Sequence, residues 1–221
     1  MVETETRVLV IGNKNYSSWS LRAWLVLAHS GLPFEEVRIA LNEEDTDEKL
    51  ERYSPSLKVP VLIENGITIW ESLAICERIA EQVPSLWPSD PIARARARSV
   101  AAEMHSGFSA IRNQMPMNIR ATNRNVEMTP DLEIDIRRIL DIWRDCRSNY
   151  TSVKPWLFGD FSIADAMYAP VAARFRTYGV RGNATAESYI ATVFSDPHMK
   201  SWSEAAFEEK EIIDVEEIGI V

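Results

Sequence analysis

The chain has 221 residues, 46% of them apolar, and a formal net charge of −9. That length allows one or two globular domains with a sizeable core, and the acidic balance argues against nucleic acid or an anionic membrane as the main partner. The segment before Arg7 is polar and charged, and no apolar run reaches the roughly eighteen residues that a membrane span needs. A cytoplasmic protein is therefore expected.

The N-terminal part alternates between strand and helix patterns, which favours a compact α/β unit. The predicted strands span 7–11, 34–40, 59–63 and 66–70. The predicted helices span 18–30, 50–54 and 72–82. Taken in chain order they give βαβαββα, which is the order of a thioredoxin-like domain.

A stretch rich in proline and serine, 85–91, predicts a linker between two domains. The thioredoxin-like domain is accordingly assigned to 1–84 and a second domain to 92–221. Patterns in the second domain are helical, without strand alternation, so an all-helical bundle is expected. Its main predicted helices span 92–113, 131–150 and 162–178. No role is assigned to the acidic tail at its end.

Pro60 lies inside an apolar run, directly before a hairpin whose turn is Asn65-Gly66. Proline has no N–H to donate to a strand ladder, so Pro60 marks a strand start, an edge or a bend, and a cis bond before it is one way to make the bend. Such a bend turns the backbone of Val59, beside Lys58, towards solvent. Val59 would then pair with an extended peptide by strand addition.

The pair Glu71-Ser72 stands at the start of the helix after this hairpin. Ser72 is predicted to cap the helix, where free N–H groups and the positive dipole end attract a carboxylate. Glu71 would bind an ammonium group. Together with Val59 these residues suit the free amino-acid end and the amide of a small peptide, and glutathione has that layout. The alternative is that Glu71 and Ser72 only cap a helix and that Pro60 only ends a strand.

Other cofactor classes have little support in the sequence. Cys76 and Cys146 lack paired spacing and are expected to be buried apolar fillers, not a disulfide or a zinc site. The three histidines are scattered, so no metal is expected. No glycine-rich phosphate loop occurs, so a nucleotide cofactor is not expected either.

The chain resembles the cytosolic glutathione S-transferase superfamily, in its bacterial type, over nearly its whole length. Three motifs carry the resemblance: Val59-Pro60 before a hairpin, the helix start at Glu71-Ser72, and Phe161-Ser162-Ile163-Ala164-Asp165. The third is similar to the buried capping box of this family, with Ser162 as the cap and Asp165 reaching back to backbone amides. The resemblance implies that this box serves folding and that the protein is a homodimer.

The segment Ser17-Ser18-Trp19-Ser20-Leu21-Arg22 is most similar to the zeta-like, maleylacetoacetate isomerase-like members, whose pattern is Ser-Ser-Cys-Ser-x-Arg. Here Trp19 replaces the cysteine, which counts against isomerase activity. A serine hydroxyl at this helix start would stabilise the glutathione thiolate. Ser17 is the preferred donor to the thiolate, Ser18 the second and Tyr16 the third. The alternative is that one serine only caps the helix and the others are surface residues. Trp19 either stacks over the bound thiol or plugs the domain interface.

The predicted function is a transferase that joins glutathione to a small electrophile. The alternatives are a glutathione-dependent isomerase, a thiol-disulfide oxidoreductase, which the absence of a cysteine near the first helix argues against, and a non-catalytic binding module. The electrophile is expected between the domains. Side chains available there are Met104, Phe108, Ile111, Met115 and Met117, most of which are expected in the core. The arginines at 94, 96, 98 and 112 either attract an anionic substrate or form a solvated or subunit-facing surface, and the second interpretation is preferred because it is usual for alternating arginines on a helix.

Overall fold

The computed structural model describes residues 6–151 and 154–219. A four-stranded mixed sheet forms the N-terminal part, in the order β2-β1-β3-β4. Its strands are β1 (Arg7–Ile11), β2 (Glu35–Arg38), β3 (Val61–Glu64) and β4 (Ile67–Trp70). β1 pairs in parallel with β2 and antiparallel with β3, and β3 and β4 form the predicted hairpin. The ends of the two predicted domains, 1–5 and 220–221, and residues 152–153 lie outside the described residues.

The helices of this part give the predicted thioredoxin-like order. They are α1 (Ser18–Ser30), α2 (Thr46–Glu51) and α3 (Ser72–Gln82). The prediction for the second of them, 50–54, was wrong. The helix begins earlier because the Thr46 hydroxyl donates to the carbonyl of Ala40 (2.8 Å) and accepts the N–H of Glu43 (2.9 Å), which fixes its first turn. Leu50 anchors α2 on the sheet near its end instead of starting it.

The C-terminal part is a bundle of helices, as predicted. They are α4 (Pro91–Ser106), α5 (Ser109–Gln114), α6 (Pro130–Tyr150), α7 (Ile163–Thr177), α8 (Ala184–Ser195) and α9 (Pro197–Glu208). The single helix predicted over 92–113 is broken between α4 and α5. Gly107 is extended and Phe108 takes a left-handed backbone with φ 60°, which turns the chain so that the Phe108 ring is buried. Arg112 closes the break by donating to the carbonyl of Gly107 (2.9 Å).

α1 is the element that joins the two halves, since it packs against α3 on one side and α7 on the other. Nearly every residue of α7 is buried, and many are alanines that allow close approach of neighbouring helices. α4 also packs on α7. The N-terminal end of α1 therefore opens where the sheet domain and the helical bundle meet.

The structure has a capping box at the start of α7, formed by Ser162 and Asp165. The buried Asp165 carboxylate accepts the N–H and hydroxyl of Ser162 (both 2.9 Å), the N–H of Leu157 (3.0 Å) and the hydroxyl of Tyr189 (3.1 Å). Burial nevertheless raises the pKa of Asp165 to about 6 from an ordinary 3.8. The folded protein therefore binds this proton more tightly than the unfolded chain does. As the pH rises from the ordinary pKa of Asp165 to the raised one, the free energy of unfolding falls.

Asp165→Asn is expected to lower the free energy of unfolding by roughly 2–4 kcal/mol, because the new amide places an N–H against the buried N–H of Ser162. Urea unfolding followed by circular dichroism measures the change. Asp160→Asn is the control, since the Asp160 side chain is exposed and pairs only with Lys154, and it should shift stability by no more than about 0.5 kcal/mol. Equal effects of the two substitutions would contradict the role given to the box.

Candidate glutathione site

Two adjoining cavities lie where α1 begins, and Trp19, Lys58 and Val59 line both of them. The smaller has a volume of about 160 Å³ and the larger about 390 Å³. The smaller cavity is completed by Ser56, Pro60, Glu71 and Ser72. The larger cavity is completed by Tyr16, Ser17, Ser18, Leu41, Leu50, Leu57, Arg112, Arg174, Ile213 and Glu216. The structure thus places all six predicted glutathione-binding residues around the smaller cavity and both predicted catalytic serines in the larger.

The start of α3 differs in one respect from the prediction. Glu71, not Ser72, is the capping residue, and its backbone has φ 74° and ψ 122°. Ser72 is the first helical residue because the turn at Glu71 already directs the chain into the helix. The Ser72 hydroxyl is buried and has no hydrogen-bond partner among the described residues. A buried hydroxyl without a partner, beside free helix N–H groups, is suited to a ligand oxygen.

The backbone before β3 presents one residue with unused polar groups. The Val59–Pro60 peptide bond is cis, and β3 begins after it at Val61. Ser54 satisfies both backbone groups of Lys58, donating to its carbonyl (2.9 Å) and accepting its N–H (3.2 Å). In the described part of the chain, the N–H and C=O of Val59 have no partner. Val59 therefore offers one donor and one acceptor to an extended peptide, as strand addition requires.

Ser17 and Ser18 have different hydrogen bonds, although both line the larger cavity. Ser17 caps α1: its hydroxyl accepts the N–H of Ser20 (3.3 Å) and donates to the Ser20 hydroxyl (2.7 Å). Ser18 is the first helical residue, and its oxygen accepts a long hydrogen bond from Arg174 (3.4 Å). The hydroxyl hydrogen of Ser18 has no acceptor among the described residues, so it is available to a ligand. The hydroxyl hydrogen of Ser17 is already donated to Ser20.

Tyr16, the third predicted donor, is already engaged. Its hydroxyl donates to Glu217 (2.6 Å) and accepts from Arg120 (2.9 Å). Burial and the Glu217 carboxylate raise the pKa of Tyr16, which keeps the phenol protonated and bonded. This geometry favours a structural role for Tyr16 at the cavity wall.

Trp19 stands between the two cavities and is flanked by positive charge. The guanidinium carbons of Arg22 and Arg112 lie 4.3 and 4.7 Å from its ring centroid, and His105 meets the ring edge-on at 5.4 Å. Burial lowers the pKa of Arg22, whose guanidinium has no hydrogen-bond partner among the described residues and relies on the indole face. Trp19 thus contacts the helical bundle while lining both cavities, which agrees with a place at the domain interface, and stacking over the bound thiol stays a prediction.

Several residues of the larger cavity were not predicted. The apolar side chains considered for the electrophile, from Met104 to Met117, are packed in the core, as was expected for most of them. Arg112, for which a surface position was the preferred interpretation, lines the cavity, and so does Arg174 on α7. A signal for Arg174 existed, since it is a lone charge in the apolar run Val171-Ala172-Ala173-Arg174-Phe175. Burial lowers the pKa of Arg174 to about 10, and one guanidinium nitrogen, Nη1, has no partner among the described residues.

Both cysteines are buried, as expected, and burial raises the pKa of each thiol, to about 12 for Cys146. A reactive thiolate is therefore not available from either. No group of three or more His, Cys, Asp or Glu side chains in the described ranges is placed to hold a metal ion. Of the helices described, none combines the length and apolar character that crossing a membrane would need.

The chain thus combines two domains, one thioredoxin-like and one a helical bundle. A cleft between them is large enough for a small peptide. Residues 16–82 match the family model described as glutathione S-transferase, N-terminal domain, and residues 93–205 match that of the C-terminal domain. The chain belongs to the glutathione S-transferase family.

The chain is also similar to individual proteins, in sequence over part of its length and in fold over most of it. A probable maleylacetoacetate isomerase of Caenorhabditis elegans is 37% identical over 99 residues, which are 44% of this chain and 46% of that protein. The matched stretch thus spans about half the length of that curated relative. Among solved structures, a glutathione transferase homolog from Burkholderia GL BGR1 with bound glutathione has a TM-score of 0.72 at 22% identity, covering 92% of this chain and all of that one. A maleylacetoacetate isomerase from Anaeromyxobacter dehalogenans with glutathione in its active site has a TM-score of 0.64 at 21% identity, covering 90% and 95%.

Proposed function

We propose that the protein is a glutathione transferase that binds glutathione across the two cavities and joins it, through its sulfur, to a small electrophile. One observation carries the proposal: three groups with an unused donor or acceptor, the Ser72 hydroxyl, the backbone of Val59 and the Ser18 hydroxyl, line the joined cavities. They suit the carboxylate, the amide and the thiol of an extended glutathione. Among the described residues, the Ser72 hydroxyl and the Val59 backbone have no partner, and the Ser18 hydroxyl only accepts from Arg174 and keeps its hydrogen for a ligand.

Each end of the tripeptide has a counter-charge. The ammonium of the γ-glutamyl residue would be held by Glu71, whose carboxylate lies 3.8 Å from His105 Nε2. The neighbouring carboxylate would accept the Ser72 hydroxyl and the free N–H groups at the start of α3. Lys58, which lines both cavities, would face the glycyl carboxylate. The backbone of Val59 would pair with the cysteinyl residue between these ends.

The thiol would then lie at Ser18, at the positive end of α1. Lowering the pKa of a thiol by two units requires about 2.7 kcal/mol. A hydrogen bond to the thiolate contributes roughly 1.5–3 kcal/mol and the helix end about 0.3–1 kcal/mol. Together they give roughly 1.8–4 kcal/mol, a range that includes the required value. The buried Arg174 beside Ser18 adds to them. The thiolate attacks the electrophile, the carbon–sulfur bond forms, and the leaving group departs with its electron pair.

The larger cavity would hold the electrophile beyond the sulfur. Arg112 and Arg174 both line it, which favours an electrophile bearing an anionic group. This feature and the relatives named maleylacetoacetate isomerase support a second candidate, a glutathione-dependent isomerase of an acidic substrate. Trp19, in place of the cysteine of the zeta pattern, supplies neither a thiol nor a small volume there, so transfer is the preferred function.

We also propose that the enzyme acts in the cytoplasm as a homodimer. Support for a dimer comes from apolar side chains that the monomer leaves exposed in the first turn of α4 and on the edge strand β4. They are Ile67, Trp70 and Ile92.

Calorimetric titration with glutathione and with N-acetylglutathione tests the proposal. N-acetylation removes the ammonium that Glu71 binds, so affinity should fall about 10- to 100-fold, the equivalent of a lost charge-assisted hydrogen bond. Glu71→Gln should reduce this difference between the two ligands, whereas Glu81→Gln, at an exposed position of α3, should preserve it. Equal affinity of the wild type for both ligands, or no binding at millimolar glutathione, would refute the proposed function.

A further inference from the structure

The acidic tail that the sequence left without a role is tied across the larger cavity. We call residues 209–219 the strap. At its first end the Glu209 carboxylate accepts the N–H groups of Lys14 (2.7 Å) and Asn15 (3.0 Å), in the loop that leads into α1. Arg120 donates to the carbonyl of Glu211 (2.8 Å). The strap is therefore fixed to the loop that carries the active-site serines.

The other end of the strap is held by a second set of polar contacts. Glu217 accepts hydrogen bonds from Tyr16 (2.6 Å) and Asn118 (2.8 Å) and pairs with Arg124. The N–H of Asn125 donates to the carbonyl of Gly219 (3.1 Å). Because both ends are anchored, the middle of the strap is held over the cavity in one place.

The middle of the strap faces the cavity with one apolar and one acidic side chain. Ile213 is buried, and Glu216, at the end of a single 3-10 turn, is half-buried; both line the larger cavity. The Glu216 carboxylate makes no direct hydrogen bond or ion-pair contact with any described residue. Burial raises its pKa, and the positive charge of Arg174 acts on it in the opposite direction without touching it. Glu216 is therefore not an anchor of the strap. A carboxylate that is partly removed from water and has no partner is stabilised when a ligand brings a hydrogen-bond donor to it.

Opposite charges thus face the same volume without pairing. Arg174 also lines this cavity, with Nη1 buried and unpartnered among the described residues. With Arg112, the walls carry two guanidinium groups and one carboxylate where the electrophile would lie. Lys58 lines both cavities and is proposed to face the glycyl carboxylate of glutathione. With Lys58 so engaged, the electrophile end has an excess of one positive charge.

We infer that Glu216 is a specificity-determining residue, which restricts the electrophile to compounds with one anionic group and a hydrogen-bond donor beyond it. The anionic group pairs with Arg174 and Arg112, and the donor meets Glu216. A second carboxylate on the electrophile would lie against Glu216 and be repelled. This inference rests on the proposed function, and it distinguishes the site from one built for dicarboxylates.

Three chlorinated nitrobenzenes of similar shape test this inference: 1-chloro-2,4-dinitrobenzene without a charge, 4-chloro-3-nitrobenzoate with one carboxylate and 4-chloro-5-nitrophthalate with two. Glu216→Gln keeps the size of the side chain and removes its charge. It should raise kcat/KM for the dicarboxylate about tenfold relative to the monocarboxylate. Asp214→Asn is the matched control, because it removes one charge from an exposed side chain of the strap and should leave that ratio unchanged.

Binding without turnover separates this inference from the proposed function. The protein is titrated by calorimetry with 4-nitrobenzoate and 4-nitrophthalate, which lack a leaving group. A preference of the wild type for the monoacid that Glu216→Gln removes supports the inference even if no conjugate forms, an outcome that would refute only the transferase. An unchanged preference in Glu216→Gln, or the same change in Asp214→Asn, would overturn the inference whether or not the enzyme conjugates glutathione.

Discussion

Ser18→Ala is expected to lower kcat/KM for conjugation of 1-chloro-2,4-dinitrobenzene about 30- to 100-fold. The substitution removes the donor that is available for the thiolate, and a loss of two pKa units in the bound thiol corresponds to that range at neutral pH. The free energy of unfolding should change by less than about 1 kcal/mol, since the Ser18 hydroxyl makes only one long hydrogen bond, with Arg174. Steady-state kinetics and urea unfolding measure the two effects.

Ser17→Ala is the matched comparison, and the opposite pattern is expected for it. Ser17 is the cap of α1 and bonds to Ser20 through both its lone pair and its hydrogen. Its loss should cost about 1 kcal/mol of stability, with a smaller effect on kcat/KM than the loss of Ser18. A larger kinetic effect at Ser17, with stability retained, would assign the thiol to Ser17, which the sequence alone had favoured.

Ser72→Ala is expected to weaken glutathione binding about tenfold or more without destabilising the free protein. In the wild type the buried Ser72 hydroxyl has no partner among the described residues, so its removal deletes an unsatisfied group and should leave the unfolding free energy unchanged or higher by about 1 kcal/mol. In the complex the same hydroxyl would donate to a carboxylate, and that contact would be lost. Calorimetry gives the affinity and chemical denaturation gives the stability.

Ser99→Ala provides the control for this result. Ser99 is exposed on α4 and donates only to the carbonyl of Ala95 in its own helix. The substitution should change neither glutathione affinity nor, by more than about 0.5 kcal/mol, stability. If Ser72→Ala unfolds the protein more readily and leaves affinity intact, its hydroxyl serves the fold and not the ligand.

The thioredoxin-like order could be predicted because its signals are local. Short apolar runs, the Asn65-Gly66 turn and the stop at Gly31 each depend on neighbouring residues, and the observed hairpin and α1 follow them. Local signals failed where a distant contact decided the outcome. The start of α2 depends on Thr46 bonding to Ala40, and the break at Gly107 depends on burying Phe108 in the bundle.

The smaller cavity, where glutathione is proposed to bind, was predictable for the same reason, and the lining of the larger cavity, proposed for the electrophile, was not. Val59, Glu71 and Ser72 lie within one hairpin and the helix that follows it, so their spacing carries the information. The electrophile cavity joins α1, α7 and the strap, which are far apart in the chain. Tyr16 and Glu217, for example, are separated by 201 positions and meet at 2.6 Å. No spacing rule relates residues across such a distance, so the acidic tail could not be assigned to the site.

The hydrogen bonds of the serine hydroxyls at the start of α1 also could not be predicted from the sequence. Ser17 and Ser18 are adjacent, chemically identical and almost equally buried, but their hydroxyls have different hydrogen-bond partners, and only the hydrogen of Ser17 meets an acceptor among the described residues. That difference arises because Ser20 accepts from Ser17 while also receiving the N–H of Gly12 (3.1 Å). A one-residue difference in where the helix begins exchanges the two roles.

The pKa of the glutathione thiol in the complex is the most direct measure of the central claim. Thiolate absorbance in the ultraviolet is followed across pH for glutathione bound to the wild type and to Ser18→Ala. We expect a thiol pKa about two units below that of a free thiol in the wild type, and a value near the free one in the variant. A bound thiol with the pKa of free glutathione in the wild-type protein would contradict thiolate activation at the start of α1.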